Sequence, residues 1–229
     1  MTLMVNNLGD NPQQPGTYAE AYIPDQLIAG NLKLVTATVI LGAGTLQRGT
    51  VLGQQTGAIT SVAGATNVGN GTISGLTKGV SAEIGFYTLR ATSPTVFSVT
   101  APTADALPDL TVGTPYVTAG INLTITAGGT AFVAGDTFTV TCAASNYIQS
   151  VQTATDGSQF PVAILVDYAD ASGGPVNAAA YLMGEFNQNA LIADPSWGAS
   201  PAAAAVNLWP LLRPYGIFIK NAVTAADPS

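Results

Sequence analysis

Four segments in the middle of this chain alternate apolar and polar residues at a strict period of two. Ile121, Leu123 and Ile125 are interleaved with Asn122, Thr124 and Thr126, and Phe138, Val140 and Cys142 with Thr137, Thr139 and Thr141. Phe97, Val99 and Ala101 form a third stripe, and Tyr87, Leu89 and Ala91 a fourth. In a β-strand successive side chains point to opposite faces, so each segment presents one apolar and one hydroxyl-rich face. Turn chemistry lies between them, at Gly128-Gly129 and at Ala134-Gly135-Asp136. Strands of this kind, with one solvated face and turns about every ten residues, define an antiparallel sandwich. Residues 69–144 are therefore predicted to form a small immunoglobulin-like module. Cys142 falls on its inward face as a buried free thiol, and as the chain's one cysteine it cannot form an intrachain disulfide.

The flanking regions read differently. Val35, Ala37, Val39 and Leu41 share one face of a predicted strand over 32–41, and a turn at Gly42-Ala43-Gly44 leads to another over 48–53. The stretch 57–71, rich in Gly, Ala, Thr and Asn, reads as a linker. Val162–Val166 and Ala178–Met183 are apolar on both faces, as expected of strands covered from both sides. Ser200-Pro201 before Ala202–Leu208 predicts a short helix, with Ser at the N-cap and Pro at the first position. Pro210 and Pro214 are expected to stop it, and Ile217-Phe218-Ile219 to form a last strand. Residues 1–20 carry no periodic apolar pattern and read either as a frayed terminus without a role or as an arm that orders on a partner by strand addition. The fold class is mainly β with one short helix.

Composition removes several functions. Charged residues are 8 % of the chain, against about 25 % in an average protein, while 47 % is hydrophobic. A surface so poor in repelling charge favours association, which points to a subunit of an assembly. The net charge is −7, and the basic residues Lys33, Arg48, Lys78, Arg90, Arg213 and Lys220 are scattered, which argues against nucleic acid and anionic membranes as partners. No window offers the roughly 18 apolar residues of a membrane span, and no signal peptide is expected at the N-terminus. There is no histidine. Asp105 and Asp109 lack calcium-loop spacing, and Glu185 has no second carboxylate at a persuasive separation. No enzyme activity, metal or cofactor is expected.

Four short blocks remain: Leu27-Ile28-Ala29-Gly30, Arg48-Gly49-Thr50-Val51-Leu52-Gly53, Asp156-Gly157-Ser158 with the following Ala163-Ile164-Leu165, and Gly184-Glu185-Phe186-Asn187. In this order they resemble the head decoration protein family of tailed bacteriophages, the lambda-type proteins. The departure is the long separation of the second and third blocks, which the sandwich fills. Lengthening an exposed loop adds closure entropy only logarithmically, so the parent fold can survive such an insertion. The expected organisation is an arm over 1–20, a discontinuous core over 21–68 and 145–229, and an inserted module over 69–144.

The resemblance implies a structural virion protein, made in the host cytoplasm, that binds the outer surface of the expanded capsid as a homotrimer and stabilises it. Its partners would be the major capsid protein and itself. The arm, with Gln14, Pro15, Gly16, Thr17, Tyr18, Ala19 and Glu20, would add to a capsid strand. Arg48, Trp197 and Trp209 are candidates for the trimer interface, although Arg48 also reads as a residue after a tight turn and the tryptophans as core. Asp156-Gly157 reads as a turn in which the carboxylate caps its own backbone. An alternative from another class is a surface-displayed β-sandwich adhesin for glycans or host receptors.

Overall fold

The computed structural model describes residues 26–221. The first strands are β1 (Val35–Leu41), β2 (Thr45–Leu46) and β3 (Val51–Ala63). The middle of the chain follows with β4 (Thr72–Lys78), β5 (Gly85–Ser93), β6 (Val96–Thr100), β7 (Ala106–Thr111), β8 (Tyr116–Val117), β9 (Ile121–Thr126) and β10 (Thr137–Gln149). The last part holds β11 (Pro161–Leu165), β12 (Ala169–Asp170), β13 (Val176–Asn187), helix α1 (Pro201–Leu212) and β14 (Ile217–Lys220). The fold is mainly β, with one short α-helix among the described residues.

One long sheet runs β1-β13-β11-β3-β10-β5-β6-β7. Its first five strands close on themselves, because β1 returns to β10 through a parallel pair, Leu41 with Tyr147. Closure leaves that ring without the open edges that invite aggregation. Consecutive residues of the ring strands then alternate between two cores. Leu52, Ala163, Leu165 and Ala180 join Val39 and Leu41 in one cluster. Val51, Ile164 and Tyr181 join Trp197, Leu208 and Leu212 in the other, beneath α1. This is why β11 is apolar on both faces: each face has its own cover.

The middle segments behave as their alternation predicts. All twelve residues of the four apolar stripes are buried in a single cluster, together with Phe132. Phe97 and Phe132 meet edge to face at 5.0 Å, a favoured arrangement of ring quadrupoles. The second layer over this cluster is the small sheet β4-β9-β8. Phe86, next to Tyr87 on β5, falls on the opposite face of the strand and lies on the surface.

Two expectations are corrected. The stretch 57–71 is not a linker at its start: β3 continues to Ala63 against β10, with Ile59 beside Cys142 and Ser61 beside Val140. Its small residues fit because Gly57 packs against the Ala143 and Ala144 carbonyls, where a Cβ would sit near 3.1 Å from Ala144 O. The helix also runs past Leu208 and through Pro210 to Leu212. Ala204, Leu208 and Leu212 recur every four residues on its buried face, and that inward leucine holds the last turn down. Pro210 is on the exposed side, and a 3-10 turn and Gly216 in the left-handed region, at φ 75°, end the run.

Candidate interaction site

The sequence blocks meet in pairs. Leu27–Ala29 runs antiparallel to the end of β13: Ile28 bridges Phe186, Ala29 N donates to Glu185 O and Asn187 N to Leu27 O, both at 2.9 Å. On the other side of that segment, Gly184–Asn187 pairs in parallel with Ile217–Lys220. A Cβ on Gly30 would fall 1.6 Å from Glu185 Oε2, so a larger residue there would push that carboxylate aside. The Glu185 carboxylate accepts from Leu32 N and forms an ion pair with Lys220. That lysine, with the Leu32 amide, holds the carboxyl below its ordinary range despite partial desolvation.

The second and third blocks meet in the same way. Gly53 lies against Ser158, where a Cβ would be 2.1 Å from the carbonyl oxygen. Asp156 caps its own turn, accepting from Ser158 N at 3.0 Å and Ser158 Oγ at 2.6 Å, and it accepts from Gln55 Nε2 at 2.7 Å. Burial pushes this carboxyl up, but the Ser158 and Gln55 bonds outweigh it and leave the group below its ordinary value. Ser150 Oγ donates to Ser158 O, and the Trp197 indole N–H donates to Ser150 O at 3.0 Å. The motif residues thus satisfy one another across the chain. Together they close the fold. Among the described residues no group of three or more His, Cys, Asp or Glu could hold a metal ion.

The sandwich has its own polar keystone, which the sequence reading used only as turn chemistry. Asp136 is buried and accepts from Val68 N and Gly69 N at 2.8 Å and Val133 N at 3.0 Å. Desolvation raises its pKa, and the three backbone donors more than offset this and lower it. Burial pushes the Cys142 thiol up, which keeps it in the inert, protonated form.

The interface candidates separate. Trp197 is 2 % exposed within its own chain and packs in the cluster beneath α1. Trp209 is 40 % exposed on the outer side of α1, near Val206 at 74 %. The Arg48 guanidinium donates to Val166 O at 3.1 Å, which ties the turn before β3 to the end of β11. Residues Gln14, Pro15, Gly16, Thr17, Tyr18, Ala19 and Glu20 lie outside the described residues.

The motif residues thus brace a mainly-β fold, and α1 turns apolar side chains outward. The family model of the bacteriophage lambda head decoration protein D matches residues 18–208, and the chain belongs to that family. That family is one of structural phage head proteins. No curated protein matches it. Among solved structures it is similar to FlgL of Xanthomonas campestris, 21% identical over 42% of this chain and 33% of that chain, at a TM-score of 0.32. A second likeness is to the flagellar hook junction protein FlgK of Burkholderia pseudomallei, 20% identical over 55% of this chain and 23% of that chain, also at 0.32. The chain spans a third or less of the length of these structures. No helix among the described residues is long and apolar enough to cross a membrane.

Proposed function

We propose that this chain is a capsid cement protein that binds the outer surface of the expanded phage head as a homotrimer and stabilises it. Residues 21–68 and 145–229 form the decoration core, 69–144 an inserted immunoglobulin-like module, and 1–20 the arm that engages the major capsid protein. The family match supports the capsid role. The separation of the apolar clusters, one drawn from 82–142 and two from the flanks, supports the division.

The observation that carries the trimer is α1. Its sequence, Pro-Ala-Ala-Ala-Ala-Val-Asn-Leu-Trp-Pro-Leu-Leu, holds one polar residue, Asn207, and that side chain donates inward to Trp197 O. Val206, Trp209 and Leu211 are exposed. A helix apolar all round belongs in an interior, and covering the area these side chains still expose contributes about 25 cal/mol per Å². Three copies then present three arms at once, which multiplies modest contacts through effective concentration. A ligand that binds only the expanded lattice stabilises that lattice by mass action.

Co-sedimentation with expanded and unexpanded shells tests this, using the full chain and a version lacking residues 1–20. Binding to expanded shells alone, weakened by loss of the arm, is the expected result. Absence of binding to either shell defeats the proposal.

A further inference from the structure

A cleft of about 500 Å³ opens where the sandwich meets the ring, within the roughly 300–1,000 Å³ of ligand sites. Glu83 and Thr103 line it from the sandwich, and Gln54 and Thr56 from the ring. Tyr147, Phe160 and Tyr215 supply aromatic walls. Phe160 and Tyr215 are exposed, so both rings have surface left to cover.

The polar groups of the cleft have turned their donors inward. Thr56 Oγ1 and Thr56 N both donate to Asp156 O, at 2.9 and 2.7 Å. Gln54 Nε2 donates to Ser145 O, and Gly157 N to Gln159 Oε1. The Thr103 amide donates to Glu83 Oε2 at 3.3 Å, and the Thr103 hydroxyl lies 3.0 Å from that oxygen and 3.2 Å from Asp105 Oδ2. What these groups chiefly offer a ligand is oxygen lone pairs. The charge has the matching sign: Glu83 lines the cleft, and no basic residue does so among the described residues. Lys78 lies outside the lining, with its ammonium on Thr56 O at 2.8 Å.

We propose that this cleft receives the guanidinium of an arginine side chain presented by a partner protein. A guanidinium brings five donors in one plane to a lining that offers acceptors, and its flat face stacks on aromatic rings. Such contacts strengthen as water is excluded. Ile84 and Val162 provide apolar surface for the methylene stem. A single lining carboxylate matches one cationic group, whereas a polyamine spreads several charges along its length. The site is separate from the outer face of α1, and it holds whether or not that helix makes a trimer.

The test is titration of the full-length chain with N-acetyl-arginine methylamide, followed by amide NMR shifts. The citrulline counterpart has the same shape without the charge. Saturable shifts are expected at 82–84, 103 and 157–160, and the citrulline compound should bind about tenfold more weakly because the charge-assisted bonds are lost. Glu83→Gln should weaken arginine binding about tenfold, and Tyr215→Ala about threefold through the lost ring. Amides of β5 and β10 report whether each variant is folded. Shifts that do not saturate, equal binding of the citrulline compound, or arginine binding that neither substitution alters would overturn the proposal. So would tighter binding of spermidine, which would make the occupant a free polyamine, or of maltose, which would make the cleft a sugar site.

Discussion

The two-layered sandwich built on the 82–142 cluster and the closed ring bury apolar surface in opposite ways. In the sandwich each strand has one wet face: Thr139 looks out while Phe138 and Val140 look in, and one cluster takes all the inward residues. In the ring the faces of a strand serve two cores, as with Ala163 and Ile164, because α1 covers the outside. A single core needs only an alternating pattern. A double core needs a cover, and the cover must be pinned by specific contacts, which is what the Trp197–Ser150–Ser158 chain of hydrogen bonds does.

The contrast breaks first at Trp197. Trp197→Ala should lower stability by about 3–5 kcal/mol, since it removes the largest buried side chain and leaves a cavity under α1. Phe97→Ala in the sandwich should have an effect of similar size. Urea unfolding followed by the tryptophans reports only on the ring and helix, where both lie, whereas Tyr87 and Tyr116 report on the sandwich. Trp197→Ala is expected to move the ring transition and leave sandwich amides protected. A single shared transition would show instead that β3 and β10, which run through both regions, couple them into one unit.

Gly53→Ala is expected to come next, at about 1–3 kcal/mol from overpacking, because the new Cβ would meet the Ser158 backbone, which cannot rotate away. Gly30→Ala faces the end of the Glu185 side chain, which can swing aside, so its effect should be smaller. Thermal melting of the two variants, measured together, checks the order.

These glycines also show what was legible in the sequence. The sandwich core was readable residue by residue, because periodicity is a local signal and one wet face makes it visible. The ring was less so: β11 and the middle of β13 are apolar on both faces, so the pattern there could not say which core Ala163 or Ile164 would join. Its motif blocks were visible as blocks, yet their pairing, Leu27–Gly30 with Gly184–Asn187 and Gly53 with Ser158, is a contact between residues far apart in sequence. The passage of β3 through 57–63 was missed because glycine and alanine read as linker unless a partner strand needs them small. Trp209 and Trp197 looked alike in sequence; only the hydrogen bond to Ser150 distinguishes the buried one.

Acid should separate the regions further. Asp136 and Asp156 titrate below the ordinary carboxylate value in the folded protein, whereas in the unfolded chain each sits near 3.9. Their stabilisation is therefore complete above about pH 5 and is lost as pH falls through the depressed folded values. Asp136→Asn keeps the shape but turns an amide donor toward the Val68, Gly69 and Val133 amides, so the sandwich should lose its extra acid sensitivity along with some stability at neutral pH. Asp156→Asn should do the same to the ring and leave the sandwich unchanged. Exchange protection measured from pH 3 to 7 in each region would show either pattern, and a uniform loss in both variants would rule out separate keystones.

The smallest effect on folding should come from Val206 on the outer face of α1, a face that carries the most weight for assembly. Val206→Ser alters a side chain that is largely in water and should change the unfolding free energy by about 0.5 kcal/mol or less, and Trp209→Ser, at a side chain only 40 % exposed, by about 1–2 kcal/mol. If that face is the trimer contact, the same substitutions should weaken self-association by an amount set by the area that association buries, with loss of the trimer in sedimentation velocity at micromolar protein. Arg48→Ala provides the internal contrast, because its guanidinium donates to Val166 O and so should act mainly on the ring's stability. A trimer that survives Trp209→Ser and Val206→Ser together but dissociates on Arg48→Ala would move the interface from the helix to the turn before β3.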